Sequence, residues 1–400
     1  MTRLPSISGV IHGLGLLCSI AAVCTVLYYW DPTRVLFKLA QPAAAERYDQ
    51  VPAEMQGLAP ADRIVVENRE QAQEMREKLL TAIFGNPAVP EGFRPRTIRR
   101  DVDKNPGPLH TCLSARGPAI VHLLSRLRTE IMRALGCEAR FYAGWENLAG
   151  IDELTDYLAK DWPFTIGYFR PVQSNGRLIV YQHGLGGTYH DQHRLIEQWI
   201  KAGYTVAALN MPGYGDNTCY DFDRYCAIAP LGGNFASDMV YAFLPPIAAI
   251  NHAIAQRDFA RIAMVGLSSG SWITLTNAAI DTRIDLSLPV AGVMPIAMLR
   301  GKETSAGEIV KPLMPFAGVL DLVLLGADRK GRRQVQLFNQ YDRCCFYGTR
   351  PAVYADDLAN RVERLGGRFD VLFDRSHARH KISSWAASHI DAAIREGNSE

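Results

Sequence analysis

The sequence has almost no excess of charge of either sign. Its 43 Lys and Arg residues nearly balance 41 Asp and Glu residues, which gives a formal net charge of +2. No block of like charge and no internal repeat stands out among the 400 residues. Because a nucleic-acid-binding protein needs a basic surface to neutralise phosphates, the composition gives no reason to expect nucleic acid as a partner.

Motifs that would indicate several other functions are also missing. The sequence contains no P-loop, EF-hand or zinc-finger spacing and no CxxC pair. We therefore expect neither a metal ion nor an organic cofactor. The eight cysteines include the adjacent pair Cys344 and Cys345, for which packing and a local disulfide are both open interpretations. An even number of cysteines permits disulfides in an oxidising compartment but does not require them.

Charge is wholly absent from residues 7–30, "ISGVIHGLGLLCSIAAVCTVLYYW". A helix of this length covers ~36 Å, which exceeds the ~30 Å hydrocarbon core of a bilayer. Its last three residues are aromatic and suit a membrane interface. We predict a transmembrane anchor at 7–30 after a short tail at 1–6. A cleaved signal peptide, whose apolar core is usually about 7–15 residues, and a buried soluble helix are the alternatives.

The orientation of this segment is only weakly encoded. Arg3 precedes it, whereas Arg34 and Lys38 follow it, so the positive-inside rule barely discriminates. A short N-terminal head before a large domain is the usual layout of a signal anchor. The expectation is therefore a single-pass membrane protein whose main domain lies on the non-cytoplasmic side.

Residues 31–150 are predicted to form a linker and a helical appendage. A Pro- and Ala-rich stretch runs to about residue 62 and is followed by a helical pattern. Asn68 is its predicted N-cap, Glu74 and Lys78 have i,i+4 spacing, and Gly85 ends it. A second helix is predicted at 118–136, where the apolar residues recur along one stripe.

From about residue 160 the sequence alternates short apolar runs with helical patterns. Strands that alternate with helices predict an α/β fold with a mostly parallel central sheet and helices on both faces. We assign this domain to 160–395. In such sheets ligands bind at the carboxyl ends of the strands, and the motifs described next all follow strand-like runs.

The segment "RIAMVGLSSGSWITLT" at 261–276 contains Gly266-Leu267-Ser268-Ser269-Gly270, a G-x-S-x-G pattern between a predicted strand and a predicted helix. A strand that turns sharply into a helix forces the middle residue into a strained conformation. Glycines are needed two positions to either side, because side chains there would meet the neighbouring strand and helix. The pattern predicts a nucleophile elbow that exposes the Ser268 hydroxyl, with a plain Gly/Ser loop as the alternative.

A second glycine-rich turn follows the run "LIVYQ", where the chain reads His183-Gly184-Leu185-Gly186-Gly187. Glycines let backbone N–H groups approach a developing negative charge closely. We predict an oxyanion-binding loop, with the N–H groups of Leu185 and Ser269 as donors and Gly184 as a motif glycine. An ordinary strand-to-helix turn is the alternative.

Together, "HGLGG", "NMPGYGDN" and "GLSSG" after three successive strands resemble the α/β-hydrolase superfamily over about 160–395. The resemblance implies a serine hydrolase whose acid and histidine follow the serine in chain order. The implied acid is Asp342, which ends the strand-like run "RQVQLFNQYD". The implied base is His380, with His377 in the same loop as the alternative.

The segment at about 299–333 is rich in apolar residues and lies where the resembled superfamily often inserts a cap. These side chains can equally pack onto the core, which is the slightly favoured alternative. The predicted function is a membrane-anchored serine hydrolase of a carboxylic ester or thioester, with a small-molecule acyl ester or lipid-like substrate. The alternatives are a serine peptidase and a non-catalytic, hydrolase-like binding domain at the membrane.

Overall fold

The computed structural model describes residues 46–100, 151–159, 162–185, 187–212, 214, 217, 235–301, 303–306 and 309–396, with isolated positions at 19, 22 and 23. Almost all of them belong to one compact unit formed by 43–102, 110–112 and 148–400. The predicted membrane span at 7–30, apart from those isolated positions, and the predicted helix at 118–136 lie outside the described residues. Among the described residues, no helix combines the length and apolarity that crossing a bilayer requires.

One nine-stranded sheet forms the centre of this unit, with strand order β1-β2-β3-β5-β4-β6-β7-β8-β9. The strands are β1 Thr97–Arg100, β2 Ile151–Ala159, β3 Trp162–Phe169, β4 Arg177–Gln182, β5 Thr205–Leu209, β6 Arg261–Leu267, β7 Leu286–Val290, β8 Arg333–Asn339 and β9 Arg368–Asp374. The pairs β1–β2, β2–β3 and β3–β5 are antiparallel. The remaining pairs, β5–β4, β4–β6, β6–β7, β7–β8 and β8–β9, are parallel. The predicted α/β class with a mostly parallel sheet is confirmed.

The parallel strands form where the chain has near-continuous apolar runs. Every residue of β5, β6 and β7 is buried, as are all but the first residue of β4 and β8. A strand covered on both faces has no side that meets water, so it favours a continuous apolar run, as in β4 to β7. Strand β8 differs, because it buries the polar residues Gln334, Gln336 and Asn339. The apolar runs therefore encode β4 to β7 directly.

Seven helices of at least two turns accompany the sheet in the described ranges. They are α1 Arg69–Phe84, α2 His193–Lys201, α3 Phe235–Ile254, α4 Ser269–Ile280, α5 Val319–Leu325, α6 Ala355–Arg364 and α7 Ser384–Arg395. One-turn helices occur at Glu46–Asp49, Ala53–Gln56 and Glu303–Ala306. Helices α3 and α4 pack on the sheet and on each other, and α1 packs on both.

Helix α1 confirms the predicted start and end signals. The Asn68 side chain accepts a hydrogen bond from the Gln71 amide, and Gly85 ends the helix with a φ of 74°. The Arg76 side chain is buried and pairs with Asp328, far along the chain. This part of the predicted appendage is therefore built into the core of the α/β unit.

Helix α5 lies within the segment predicted as a cap, 299–333. All seven of its residues are buried, and the helix packs against α4. The Asp321 carboxylate accepts hydrogen bonds from the amides of Val65 and Val66, which ties α5 to the chain just before α1. The interpretation that these apolar side chains pack onto the core is confirmed for α5.

Candidate active site

Ser268 lies at the corner between β6 and α4 with a φ of 57° and a ψ of −123°. A positive φ is uncommon for a residue that has a Cβ atom, and the surrounding structure must hold it there. The Ser268 amide donates to the Val290 carbonyl at the end of β7. The side chain is half-buried at the carboxyl edge of the sheet.

The two glycines that flank Ser268 are required by close backbone contacts. A Cβ atom on Gly266 would lie 2.3 Å from the Gly270 carbonyl oxygen and equally close to Thr274 Oγ1. A Cβ atom on Gly270 would lie 2.4 Å from the Gln182 carbonyl oxygen on β4. The expected collisions with helix and strand are present, and the predicted strand-turn-helix corner is confirmed.

The glycine-rich turn after β4 lies directly against this corner. A Cβ atom on Gly184 would be 2.6 Å from the Leu267 carbonyl oxygen and 2.8 Å from Ser268 Cβ. Leu185, next along the chain, is 39% exposed. Ser269 is the first residue of α4, and helix geometry leaves its N–H without an intrahelical acceptor. The two N–H groups predicted as oxyanion donors therefore belong to the residue after Gly184, which packs against Ser268, and to the residue after Ser268 itself.

Asp342 and His380 form a hydrogen-bonded pair. His380 Nδ1 lies 2.6 Å from Asp342 Oδ2, and the Asp342 carboxylate is fully buried. The other carboxylate oxygen, Oδ1, accepts a hydrogen bond from the Cys344 amide at 2.7 Å. An imidazole held by a carboxylate at Nδ1 keeps its proton there, which leaves Nε2 able to accept one.

The second nitrogen of His380 is the distinctive feature of the pair. His380 Nε2 is buried and has no hydrogen-bond partner in the described part of the chain. A buried polar nitrogen without a partner is costly, so its presence calls for an explanation. Ser268 therefore makes no hydrogen bond to this nitrogen in the structure.

His377, the alternative histidine, has both ring nitrogens occupied. Its Nε2 lies 3.1 Å from Asp374 Oδ2, and its Nδ1 accepts a hydrogen bond from the Arg379 amide. Asp374 also accepts hydrogen bonds from the hydroxyls of Ser376 and Ser383. Burial opposes ionisation of Asp374, but these hydrogen bonds outweigh it and lower its pKa. This pair holds the loop after β9 together.

Topology brings Ser268, Asp342 and His380 to one edge of the sheet. They follow β6, β8 and β9 respectively, and these strands run parallel to one another through β7. The carboxyl ends of parallel strands meet at the same edge, where ligands of open α/β sheets bind. The predicted serine, acid and base therefore all lie at the carboxyl edge of the sheet.

A disulfide joins Cys344 to Cys345 beside this pair. Cys344 Sγ and ligand atoms of Asp342 and His380 lie within 4.8 Å of one another, which resembles a metal-binding arrangement. A metal ion would need the thiolate of Cys344, and the disulfide removes it. The residues present do not fit a metal centre.

The sequence matches no protein-family model and no curated protein. Solved structures do match its fold. Methylesterase BT1017 has a TM-score of 0.50 and 12% sequence identity, covering 82% of this chain and 62% of that one. The chain has the α/β-hydrolase fold. Acetyl xylan esterase from Paenibacillus sp. R4 matches with a TM-score of 0.49 and 13% identity, over 86% of this chain and 99% of that chain. The Pyrococcus furiosus esterase Pf2001 matches with a TM-score of 0.43 and 13% identity, over 63% of this chain and 91% of that chain.

The α/β-hydrolase fold of this chain contains supporting residues that the sequence did not reveal. The Asn339 side chain, at the end of β8, donates to the carbonyls of Arg379 and Lys381 and so holds the histidine loop. Gly292 follows β7, and a Cβ atom there would lie 2.1 Å from the Ser268 carbonyl oxygen. Because β8 also contains Gln334 and Gln336, its polar residues gave no local signal that distinguished Asn339.

Proposed function

We propose that this protein is a serine hydrolase that cleaves a carboxylic ester or thioester through an acyl-enzyme. The observation that carries the proposal is the unpartnered, buried Nε2 of His380. The ring is held at Nδ1 by Asp342, at the same sheet edge as the strained Ser268. This combination of nucleophile, base and orienting acid is the constellation that acyl transfer uses.

The proposed reaction proceeds in two steps. Ser268 Oγ attacks the acyl carbonyl while His380 Nε2 accepts its proton, and His380 then returns that proton to the leaving alcohol or thiol as the acyl–oxygen or acyl–sulfur bond breaks. Water, deprotonated by the same nitrogen, next attacks the acyl carbonyl, and His380 passes that proton to Ser268 Oγ as the acyl–Oγ bond breaks and the acid leaves. Asp342 orients the ring and stabilises the imidazolium that forms in both steps.

The oxyanion of each tetrahedral intermediate is assigned to the N–H groups of Leu185 and Ser269. Removing one such donor typically costs about 10²–10³-fold in kcat. The close approach of Gly184 to Ser268 brings this loop within reach of the same carbonyl. The positive end of the α4 dipole adds to the stabilisation.

An ester or thioester substrate is favoured over an amide, because alkoxide and thiolate leaving groups depart more easily. The name of Methylesterase BT1017, which has the same fold, is in keeping with an ester substrate. We propose a small-molecule acyl ester or a lipid-like ester as the substrate class. The steps use only residues of this chain.

A fluorophosphonate probe, combined with a p-nitrophenyl ester series of increasing acyl length, tests the proposal. We expect the wild-type protein to be labelled at Ser268 and to hydrolyse at least one ester. Ser268→Ala is expected to lose labelling and about 10⁴–10⁶-fold in kcat, whereas Ser388→Ala, an exposed serine on α7, should retain both. An unlabelled and inactive wild-type protein would indicate a non-catalytic domain of hydrolase fold.

We also propose that residues 7–30 anchor the protein in a membrane, with the hydrolase domain on the non-cytoplasmic side. The support is the uncharged run and its terminal aromatic residues. The test uses an epitope at the C-terminus of the full-length protein. We expect the protein to resist extraction by alkaline carbonate, and protease added to intact cells or spheroplasts to remove the epitope. Release by carbonate, or digestion only after lysis, contradicts the proposal.

A further inference from the structure

The disulfide between Cys344 and Cys345 cannot act as an ordinary structural cross-link. Disulfides stabilise a fold mainly by restricting the unfolded chain, and the effect grows with the length of the loop that they close. These two cysteines are adjacent, so the bond closes no intervening loop. Its influence must therefore be local, on the backbone of 344–345 and on the groups in contact with it.

The groups in contact are those of the proposed catalytic acid. The Cys344 amide donates to Asp342 Oδ1, while Asp342 Oδ2 holds His380. The rotation of the carboxylate is thus set from two sides, one of which is the amide attached to Cys344 Cα, an atom of the disulfide ring. Cys344 Sγ itself is within 4.8 Å of ligand atoms of both Asp342 and His380.

On its other side the ring adjoins a firmly held segment. Phe346 is buried with a φ of 55°, and its amide donates to the Glu303 carboxylate. Glu303 in turn forms a two-point ion pair with Arg350, and both side chains are 2% exposed. These contacts restrain the chain on the Phe346 side, which directs a change at 344–345 toward Asp342.

We propose that the Cys344–Cys345 disulfide is a thiol-exchange site that positions Asp342, so that its reduction lowers hydrolase activity. The inference rests on the proposed function. Both cysteines are only partly buried, so a small reagent can reach them. The reacting partner is a dithiol reductant. Its first thiolate breaks the S–S bond to form a mixed disulfide, and its second thiolate releases the protein. Two electrons and two protons pass to the protein, which leaves two thiols and an oxidised, cyclic reagent.

Reduction frees the Cys344 backbone and loosens its hydrogen bond to Asp342. The His380 ring is then held less well relative to Ser268. Because small misplacements of catalytic groups are costly, we expect kcat to fall by about 10- to 100-fold. KM should change little, because neither cysteine is placed in contact with the substrate. The disulfide is thus a positioning group and not a catalytic one.

The test uses the full-length protein, isolated without reductant. We measure kcat and KM on the best p-nitrophenyl ester before and after treatment with dithiothreitol, and again after reoxidation. Alkylation and mass spectrometry follow the state of Cys344 and Cys345. We expect reduction to lower kcat at constant KM and constant thermal midpoint, and reoxidation to restore it.

The Cys344→Ser/Cys345→Ser double variant is the matched control for the other six cysteines. It should have the kcat of the reduced wild type and should not respond to dithiothreitol. Three results overturn the inference: an unchanged kcat once both thiols are free, an equal response of the double variant, or free thiols at both positions in the isolated protein. Fluorophosphonate labelling of Ser268 in the oxidised protein separates these results from failure of the proposed function, which would abolish the labelling itself.

Discussion

Asp342 and Asp374 each hold a histidine ring, and the two pairs differ at the second ring nitrogen. His380 Nε2 is buried and unpartnered among the described residues, whereas His377 accepts a hydrogen bond from the Arg379 amide at its second nitrogen. A general base needs a free lone pair that faces its substrate proton. At the scale of single residues, the free nitrogen favours His380 as the proposed base and leaves His377 a loop-stabilising role.

Substituting each histidine by glutamine tests this assignment. His380→Gln should lower kcat by about 10⁴-fold or more, because the proton acceptor is lost. His377→Gln should lower kcat by less than about tenfold, since it disturbs loop hydrogen bonds worth about 1 kcal/mol each and removes no free proton acceptor. The measurement is ester hydrolysis by both purified variants under identical conditions. The reverse order of activities would assign the base to His377.

The sequence could not distinguish these two histidines, for a physical reason. Both lie in one short loop, and each is near a carboxylate that ends a strand or follows one. The difference depends on a hydrogen bond to the Arg379 backbone and on Asn339, which holds the loop from β8. Backbone positions of this kind follow from the folded loop and leave no spacing signature. Ser268 could be located because its motif encodes its own backbone geometry.

At the scale of elements, the corner between β6 and α4 depends on the absence of two side chains. Gly270 packs its Cα against the backbone of β4, so that strand, corner and helix approach more closely than any Cβ atom permits. Overpacking of this kind typically costs about 1–3 kcal/mol and sometimes more. The glycines therefore contribute to the stability of the fold as well as to the presentation of Ser268.

Gly270→Ala is expected to lower the free energy of unfolding by at least about 2 kcal/mol, because its Cβ atom would meet the Gln182 carbonyl oxygen at 2.4 Å. Gly57→Ala is the matched control, since a Cβ atom there has no neighbour within 4 Å and φ is −94°. The control should leave stability unchanged or raise it by up to about 1 kcal/mol. Urea denaturation of the three proteins provides the comparison. Equal stability of Gly270→Ala and wild type would contradict the close packing.

Local sequence predicted where strands and helices occur along the chain, but it did not predict which helices pack into the core. The apolar runs of β4–β7 and the caps of α1 are local signals, and they were sufficient for the centre of the parallel sheet and for that helix. The place of α1 in the core was not predictable, because Arg76 finds its acceptors on Ala279 and Asp328. Those partners are more than 200 residues away along the chain.

At the scale of the whole molecule, the antiparallel edge of the sheet is joined to the helix layer by a buried charged cluster. The Glu153 carboxylate on β2 accepts hydrogen bonds from Arg170, from His252 on α3 and from Gln256 just beyond it. Glu153 is 1% exposed. Burial opposes its ionisation, but these hydrogen bonds outweigh burial and lower its pKa to about 2. The ionised form therefore holds β2 against α3.

This cluster predicts how stability depends on pH. The folded-state pKa of Glu153, about 2, lies below its ordinary value of 4.5, so the ionised group stabilises the fold above pH 4.5. That contribution is lost progressively as the pH falls from 4.5 toward 2. Glu153→Gln should therefore be less stable than wild type at pH 7, and the difference should shrink at pH 3.

Urea unfolding at pH 7, 4.5 and 3 measures this difference. Glu74→Gln is the control, because Glu74 is exposed and pairs only with Lys78 on the surface of α1. An exposed pair contributes at most about 1 kcal/mol, so the control should follow wild type at every pH. A gap between Glu153→Gln and wild type that stays constant from pH 7 to pH 3 would mean that the Glu153 side chain stabilises the fold by packing and not by its charge.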